Sequence, residues 1–289
     1  MSGEAAVKQG RRAHRLTVEF EIGDAMFERV RALAARIGGI ALYERHRAQI
    51  ARRGARLGLG GAAELEELLS GVERGDARAL QCFVELTTTG FTGFFRTPAQ
   101  FEAAREHIGK AVQRRGWARA WSAAASTGEE PYSLAMALSG LWESGTAPVK
   151  ILATDINCSA LDIARRGEYG PGDVSGLAPA VRARFFTAAE DGKVWRIADE
   201  MRQMVEFRVL NLAATEWPVA GSFDVIFCRN VLMYLEPRCR DAVLLRMSEL
   251  LAADGALVLD PAEHAGRTGA LFGRSRQGVY SRAKAGAGP

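Results

Sequence analysis

A chain of 289 residues, 48% hydrophobic and 25% charged, has the composition of a soluble globular protein with material for one large domain or two modest ones. No apolar run approaches the roughly 18–20 residues that span a bilayer, and no apolar stretch of a secretory signal follows the charged N-terminus. Four cysteines without a Cys-x-x-Cys pair and four histidines argue against a zinc site and favour reduced thiols, so a cytoplasmic location and no metal are expected. The net charge of +4 is uneven: residues 1–60 hold 12 Lys/Arg against 6 Asp/Glu, the remainder 26 against 28, so the positive excess points to an anionic partner at the N-terminal end.

Residues 1–15 are polar, basic and without apolar periodicity, and are read as a disordered tail. Over 16–88 the pattern is helical. "MFERVRALAARIGGIAL" places Met26, Val30, Leu33, Ile37 and Ile40 on one face, and "AAELEELLSGVERG" and "ARALQCFVELT" add two short amphipathic helices. These predict a small all-α domain, followed by a linker at 89–100. From 101 to 283 short apolar runs ("ARAWSAAAS", "VKILATDI", "VEFRVLNL", "FDVIFCRNV", "GALVLD") alternate with helical segments. Such alternation predicts an α/β domain with a parallel sheet covered by helices on both faces. The "EDGK" turn between "FFTA" and "VWRI" predicts a small antiparallel β-subdomain inserted at about 180–207. The Ala/Gly-rich residues 284–289 read as a second tail.

Chemistry gathers where strands end, because open α/β sheets bind ligands beyond their strand C-termini. "WSAAASTGEEPYSLAMAL" is a strand, a Gly turn and a helix, a unit that ordinarily cradles a phosphate on helix N-terminal amides. Here Glu129 and Glu130 open the helix and would repel one. No Gly-x-Gly-x-x-Gly fingerprint is present. Asp155 ends the next strand, where an acid can accept bonds from ribose hydroxyls. Asn211 and Leu212 end a third, and Arg229 and Asn230 a fourth. A phosphate-free, positively charged nucleoside suits this set, and S-adenosylmethionine has that chemistry. Each residue also has a plainer reading: Glu129 as a helix-dipole partner, and Asp155 and Asn230 as helix caps.

The blocks "WSAAASTGEEPYSLAM", "ATDINCSALDIARRGEY" and "FDVIFCRNVLMYLE", with "ELTTTGFTGFFRTPAQF" at the junction, strongly resemble the CheR-type chemotaxis receptor methyltransferases over roughly residues 25–282. The resemblance implies a Rossmann-like, S-adenosylmethionine-dependent methyltransferase domain with an inserted antiparallel β-subdomain, preceded by the all-α domain. It implies transfer of a methyl group to glutamate side chains of methyl-accepting chemoreceptors, with S-adenosylhomocysteine as product. Carried over by position, cofactor contacts fall on Thr92, Arg96, Glu129, Asp155, Asn211, Leu212, Arg229 and Asn230, and methyl transfer on Arg96 and Tyr234. A surface ion pair is the plain alternative for Arg96, and core packing for Tyr234.

"ERHRAQIARRGARLG" carries five arginines. If helical, Arg45, Arg52 and Arg56 share a face; with Arg53 they become, on the resemblance, a docking surface for the receptor's acidic methylation region. A solvated helix face is the plainer reading, and nucleic acid is disfavoured because no aromatic residues interleave the arginines. The chain departs from the family at Gly90, where Asn is common, and at "DPAEH" (Asp260 to His264), where Gly-His-Ser-Glu is common. Its hairpin turn "AAEDGKV" lacks the longer glycine-rich loop of members that bind a receptor's C-terminal pentapeptide, so no such tether is expected. A monomer recruited to receptor clusters is the expected state. The alternatives are a methyltransferase of another protein and a non-catalytic cofactor-sensing or scaffold member.

Overall fold

The computed structural model describes residues 20–142, 148–273 and 277–282; the tails expected at 1–15 and 284–289 lie outside the described residues. The N-terminal part consists of α1 (Asp24–Gly38), a 3-10 turn (Glu44–His46), α2 (Arg47–Arg56), α3 (Ala62–Glu73) and α4 (Ala77–Thr87). After α5 (Pro98–Arg115) come β1 (Ala118–Ser122), α6 (Glu129–Leu138), β2 (Val149–Asp155) and α7 (Cys158–Arg166). An excursion follows: β3 (Glu168–Tyr169), α8 (Pro171–Val174), α9 (Pro179–Phe185), β4 (Phe186–Ala188), β5 (Trp195–Ile197) and α10 (Asp199–Met204). The chain returns through β6 (Val205–Val209), β7 (Phe223–Phe227), α11 (Pro237–Leu250), β8 (Leu251–Val258) and β9 (Val279–Ser281).

The helical part closes around Phe27, Val30 and Leu33 of α1, Ile50 of α2, Leu65 and Leu69 of α3, and Phe83 and Leu86 of α4. The buried stripe of α1 is shifted from the expected one. It centres on the ring of Phe27, fully buried, and leaves Met26 and Ile37 at its margin, while Ile40 lies beyond the helix end.

The main sheet has the order β6-β2-β1-β7-β8-β9. Its pairings are parallel except β8 with β9, an antiparallel edge on an otherwise parallel sheet. Side chains alternate across it: Ala118 and Ala120 face α5 and α6, whereas Trp121 faces the opposite core with Trp217 and Phe223. Fully buried, Trp121 still satisfies its indole, which donates to Thr154 Oγ1 at 2.9 Å. The second sheet, β3-β5-β4, contains the expected hairpin. It starts earlier than the expected 180–207 span, at Glu168, and residues 205–207 belong to β6 of the main sheet. A two-residue strand is too short to show a period.

The helical part docks on the strand C-terminal ends. The N–H of Ala41 donates to the Tyr234 carbonyl and that of Glu236 to the Gly39 carbonyl, each at 2.7 Å. Asn211 Nδ2 donates to the Ile37 carbonyl at 2.6 Å, and Gln81 Nε2 to Ser159 Oγ at 2.7 Å. Among the described residues no helix is long and apolar enough to cross a membrane. Gly39 is where this docking is sterically tightest. Its φ of +62° is left-handed, and a Cβ there would collide with Cys239 Sγ and come within 3.1 Å of Ala213 Cβ. Gly39→Ala should therefore lower stability by about 2–4 kcal/mol in thermal unfolding, and adding Cys239→Ala should recover part of it.

Candidate active site

Between the two parts lies a cleft of about 1120 Å³, its open mouth included, bordered by Ile40 of the helical part, the strap 87–93 and the C-terminal ends of β1, β2, β6 and β7. Thr92, Arg96, Asp155, Asn211, Leu212, Arg229, Asn230 and Tyr234 all line it. Glu129 does not; its neighbour Glu130 does. Successive helical residues point about 100° apart, so only one of the two can face the cleft. Glu129 turns toward the small sheet: its Oε2 accepts from Thr127 Oγ1 at 2.7 Å, and Tyr169 donates to the Thr127 carbonyl at 3.0 Å. Burial pushes the Glu129 carboxyl up, with Thr127 opposing.

Glu130 Oε1 accepts from Ser122 Oγ at 2.8 Å, and Oε2 lies 3.4 Å from Arg229 Nε. The guanidinium is held further by Nη1 donating to the Arg96 carbonyl at 2.8 Å, with the rings of Phe101 and Phe227 at 5.7 and 6.0 Å. Arg229 Nε is buried and finds no hydrogen-bond partner, and Glu130 faces the cleft with its side chain 13% exposed. Burial raises the Glu130 carboxyl, and the Arg229 charge opposes that rise.

Asp155 Oδ2 accepts the Ser126 N–H and Oδ1 the Asn157 N–H, each at 2.9 Å. Asp155 is thus no cap of α7; that cap is Asn157, whose Oδ1 accepts from the Ala160 N–H at 3.0 Å. Burial nevertheless raises its carboxyl against those backbone bonds. The carboxylates of Glu130 and Asp155 suit cationic and hydroxyl groups, and disfavour a pyrophosphate. Asn211 spends its amide on the Ile37 and Ala213 backbones, so its side chain joins the two parts of the chain. Arg96 donates to the Phe91 carbonyl at 3.1 Å and lies 5.2 Å from that ring, an arrangement distinct from the surface ion pair considered for it. The cleft does not require glycine at 90, where a Cβ would sit 3.6 Å from Ser126 Oγ, an ordinary contact.

Of the arginines read as a docking surface, Arg52, Arg53 and Arg56 lie on α2, but Arg45 stands in the preceding 3-10 turn and does not share their helical face. Its guanidinium lies 4.6 Å from the Tyr43 ring. Arg53 donates to Thr89 Oγ1 at 2.7 Å and to the Leu86 carbonyl at 3.4 Å, tying α2 to the strap.

Backbone strain marks the same place. Phe95, Thr97, Ser126 and Asn230 are non-glycine residues with positive φ, and each lines or adjoins the cleft. Nothing in the residue types announces this. Arg229, following the apolar strand β7, is a charge that burial would pair with an acid, and the structure supplies Glu130.

A family model described as the CheR methyltransferase SAM binding domain matches residues 90–278. A chemotaxis protein methyltransferase of Pseudomonas aeruginosa is 37% identical over 268 residues, covering 91% of this chain and 95% of its own. One from Escherichia coli is 36% identical over 278 residues, covering 93% and 94%, and one from Salmonella typhimurium 35% over 274, covering 93% and 94%.

The buried pair has a stability consequence. Arg229→Ala would strand the Glu130 carboxylate and should cost about 3–5 kcal/mol in chemical denaturation, whereas the double change Arg229→Met with Glu130→Leu should cost less.

Proposed function

The chain belongs to the CheR methyltransferase family, and from that premise we propose that it methylates glutamate side chains of methyl-accepting chemoreceptors to give methyl esters. The observation that carries this reading is the cleft itself: carboxylates from Glu130 and Asp155 stand at strand ends where a phosphate site would need donors, with Arg96 and Tyr234 alongside. In this reading Glu130, in place of Glu129, takes the cationic amino-acid end of S-adenosylmethionine. Asp155 takes the ribose, and Leu212, Asn211 and Ile156 border the base. Thr92, Arg229 and Asn230 complete the contacts.

S-adenosylmethionine supplies an electrophilic methyl group on a sulfonium. A glutamate carboxylate is ionised at neutral pH and is itself the nucleophile, so this chain needs no general base. Its work is to strip water from that carboxylate and hold it in line, which can lower a barrier by up to about 7–11 kcal/mol in well-oriented systems. Arg96 and Tyr234 are the residues placed to do this. Arg96, held on the Phe91 carbonyl, offers a fixed charge that orients the carboxylate. Arg45, Arg52, Arg53 and Arg56 would receive the acidic methylation region of the receptor. The protein is read as a cytoplasmic monomer that binds no nucleic acid or metal, recruited to receptor clusters. Its β4–β5 turn is short, closed by the Ala189 N–H on the Val194 carbonyl at 2.8 Å, which supports action without a pentapeptide tether.

The test is transfer from methyl-labelled S-adenosylmethionine to receptor-containing membranes, followed by mild base. Volatile labelled methanol is expected, at equal rates for receptors with and without their C-terminal pentapeptide. Base-stable label would place the methyl group on another atom and remove the glutamate reading.

A further inference from the structure

We propose that Glu263 is a positioning residue for methyl transfer: its carboxylate fixes the turn that carries Asn230 to Tyr234 along the cleft wall. The inference rests on the methyl-transfer reading above. Glu263 is 4% exposed and does not itself line the cleft. Its Oε2 accepts the backbone N–H of Asn230 at 2.9 Å and of Asp260 at 3.1 Å, and its Oε1 accepts that of Met233 at 3.2 Å.

Three peptide N–H groups converge on one buried carboxylate, and among the described residues no ion pair involves it. Burying a charge in this way is costly, and burial pushes the carboxyl up while the three N–H groups pull it down. The cost is offset by what the grip holds. Asn230 sits at φ +56°, a left-handed conformation that a non-glycine residue keeps only when its surroundings impose it. Its Nδ2 also donates to Asp260 Oδ2 at 2.9 Å, so Asp260 and Glu263 clasp the same residue by side chain and backbone. One position earlier, Arg229 is fastened by Glu130 and to the Arg96 carbonyl. One position after Met233 comes Tyr234, whose N–H closes the turn on the Val231 carbonyl at 3.0 Å. The segment from Arg229 to Tyr234 is therefore fastened at its start by Glu130, and Glu263 spans the turn that follows, from Asn230 to Met233.

Only an acceptor at both oxygens satisfies this geometry. Glutamine would keep the two bonds at one oxygen and turn its NH₂ against the remaining N–H. Glu263→Gln should lower kcat on receptor membranes by about ten- to a hundredfold, the range for losing a residue that orients a contacting one. The dissociation constant for S-adenosylmethionine, measured calorimetrically, should rise by less than kcat falls, because Asn230 is one cofactor contact among several whereas the same turn sets the orientation of Tyr234 at the transfer step. The amides of Asn230 and Met233 should exchange with deuterium faster than in the parent protein. An unchanged kcat in the folded variant overturns the inference, and so does a loss of cofactor affinity as large as the loss of kcat. If the variant does not fold, the parent protein decides: the Asn230 and Met233 amides should be protected like those of β7, and loop-like exchange overturns the inference. Absence of transfer by the parent protein itself would count against the receptor reading, and the exchange measurement then tests Glu263 alone.

Discussion

The contact on which the site depends most is the buried Arg229–Glu130 pair. It joins the exit of β7 to the start of α6. Through Ser122 it reaches β1, and through the Arg96 carbonyl the segment that leads from the strap into α5. Two charges in such a place contribute little net stability, since desolvation cancels much of their attraction. What they do is determine direction. Glu130 is compelled to face the cleft, Arg96 is fixed at its backbone while its guanidinium stays in the opening, and Glu129 is left to face the small sheet.

A second constraint follows from docking. The helical part is a wall of the cleft and not an appendage: Ile40 lines it, and the Ala41 and Gly39 backbones bond the segment that carries Tyr234. Of the α2 arginines, Arg53 is bonded to the strap at Thr89, a residue that lines the cleft. α2, the strap and the cleft wall are therefore joined by short hydrogen bonds. Family membership accounts for the overall plan, and these bonds show how this sequence carries it out.

Much of the plan could be read from the residues. The buried strands of the main sheet are apolar runs between turns, and the helices carry clear periodicity. β9 and β3 were not legible, because three and two residues hold no period. The choice between Glu129 and Glu130 was not legible from position alone, because adjacent helical residues differ only in which way the helix is turned. The backbone bonds of Asn211 could not be read either. It lines the cleft as its strand-end position suggests, and its amide also binds the Ile37 and Ala213 backbones, partners that lie in another element or depend on the local turn. "DPAEH" looked like a loss of family pattern, yet its Asp260 and Glu263 supply the clasp on Asn230. In each case tertiary partners decide, and a sequence shows partners only when their chemistry obliges them.

The claim at the centre of this account is that the second carboxylate of α6, and not the first, serves the cofactor. The measurement that tests it most directly is a crystal structure of the protein grown with S-adenosylhomocysteine. The account predicts the product's amino group on Glu130 and its ribose on Asp155, with Glu129 still bonded to Thr127. A product seated on Glu129, or bound outside the cleft between the helical part and the sheet, would contradict it.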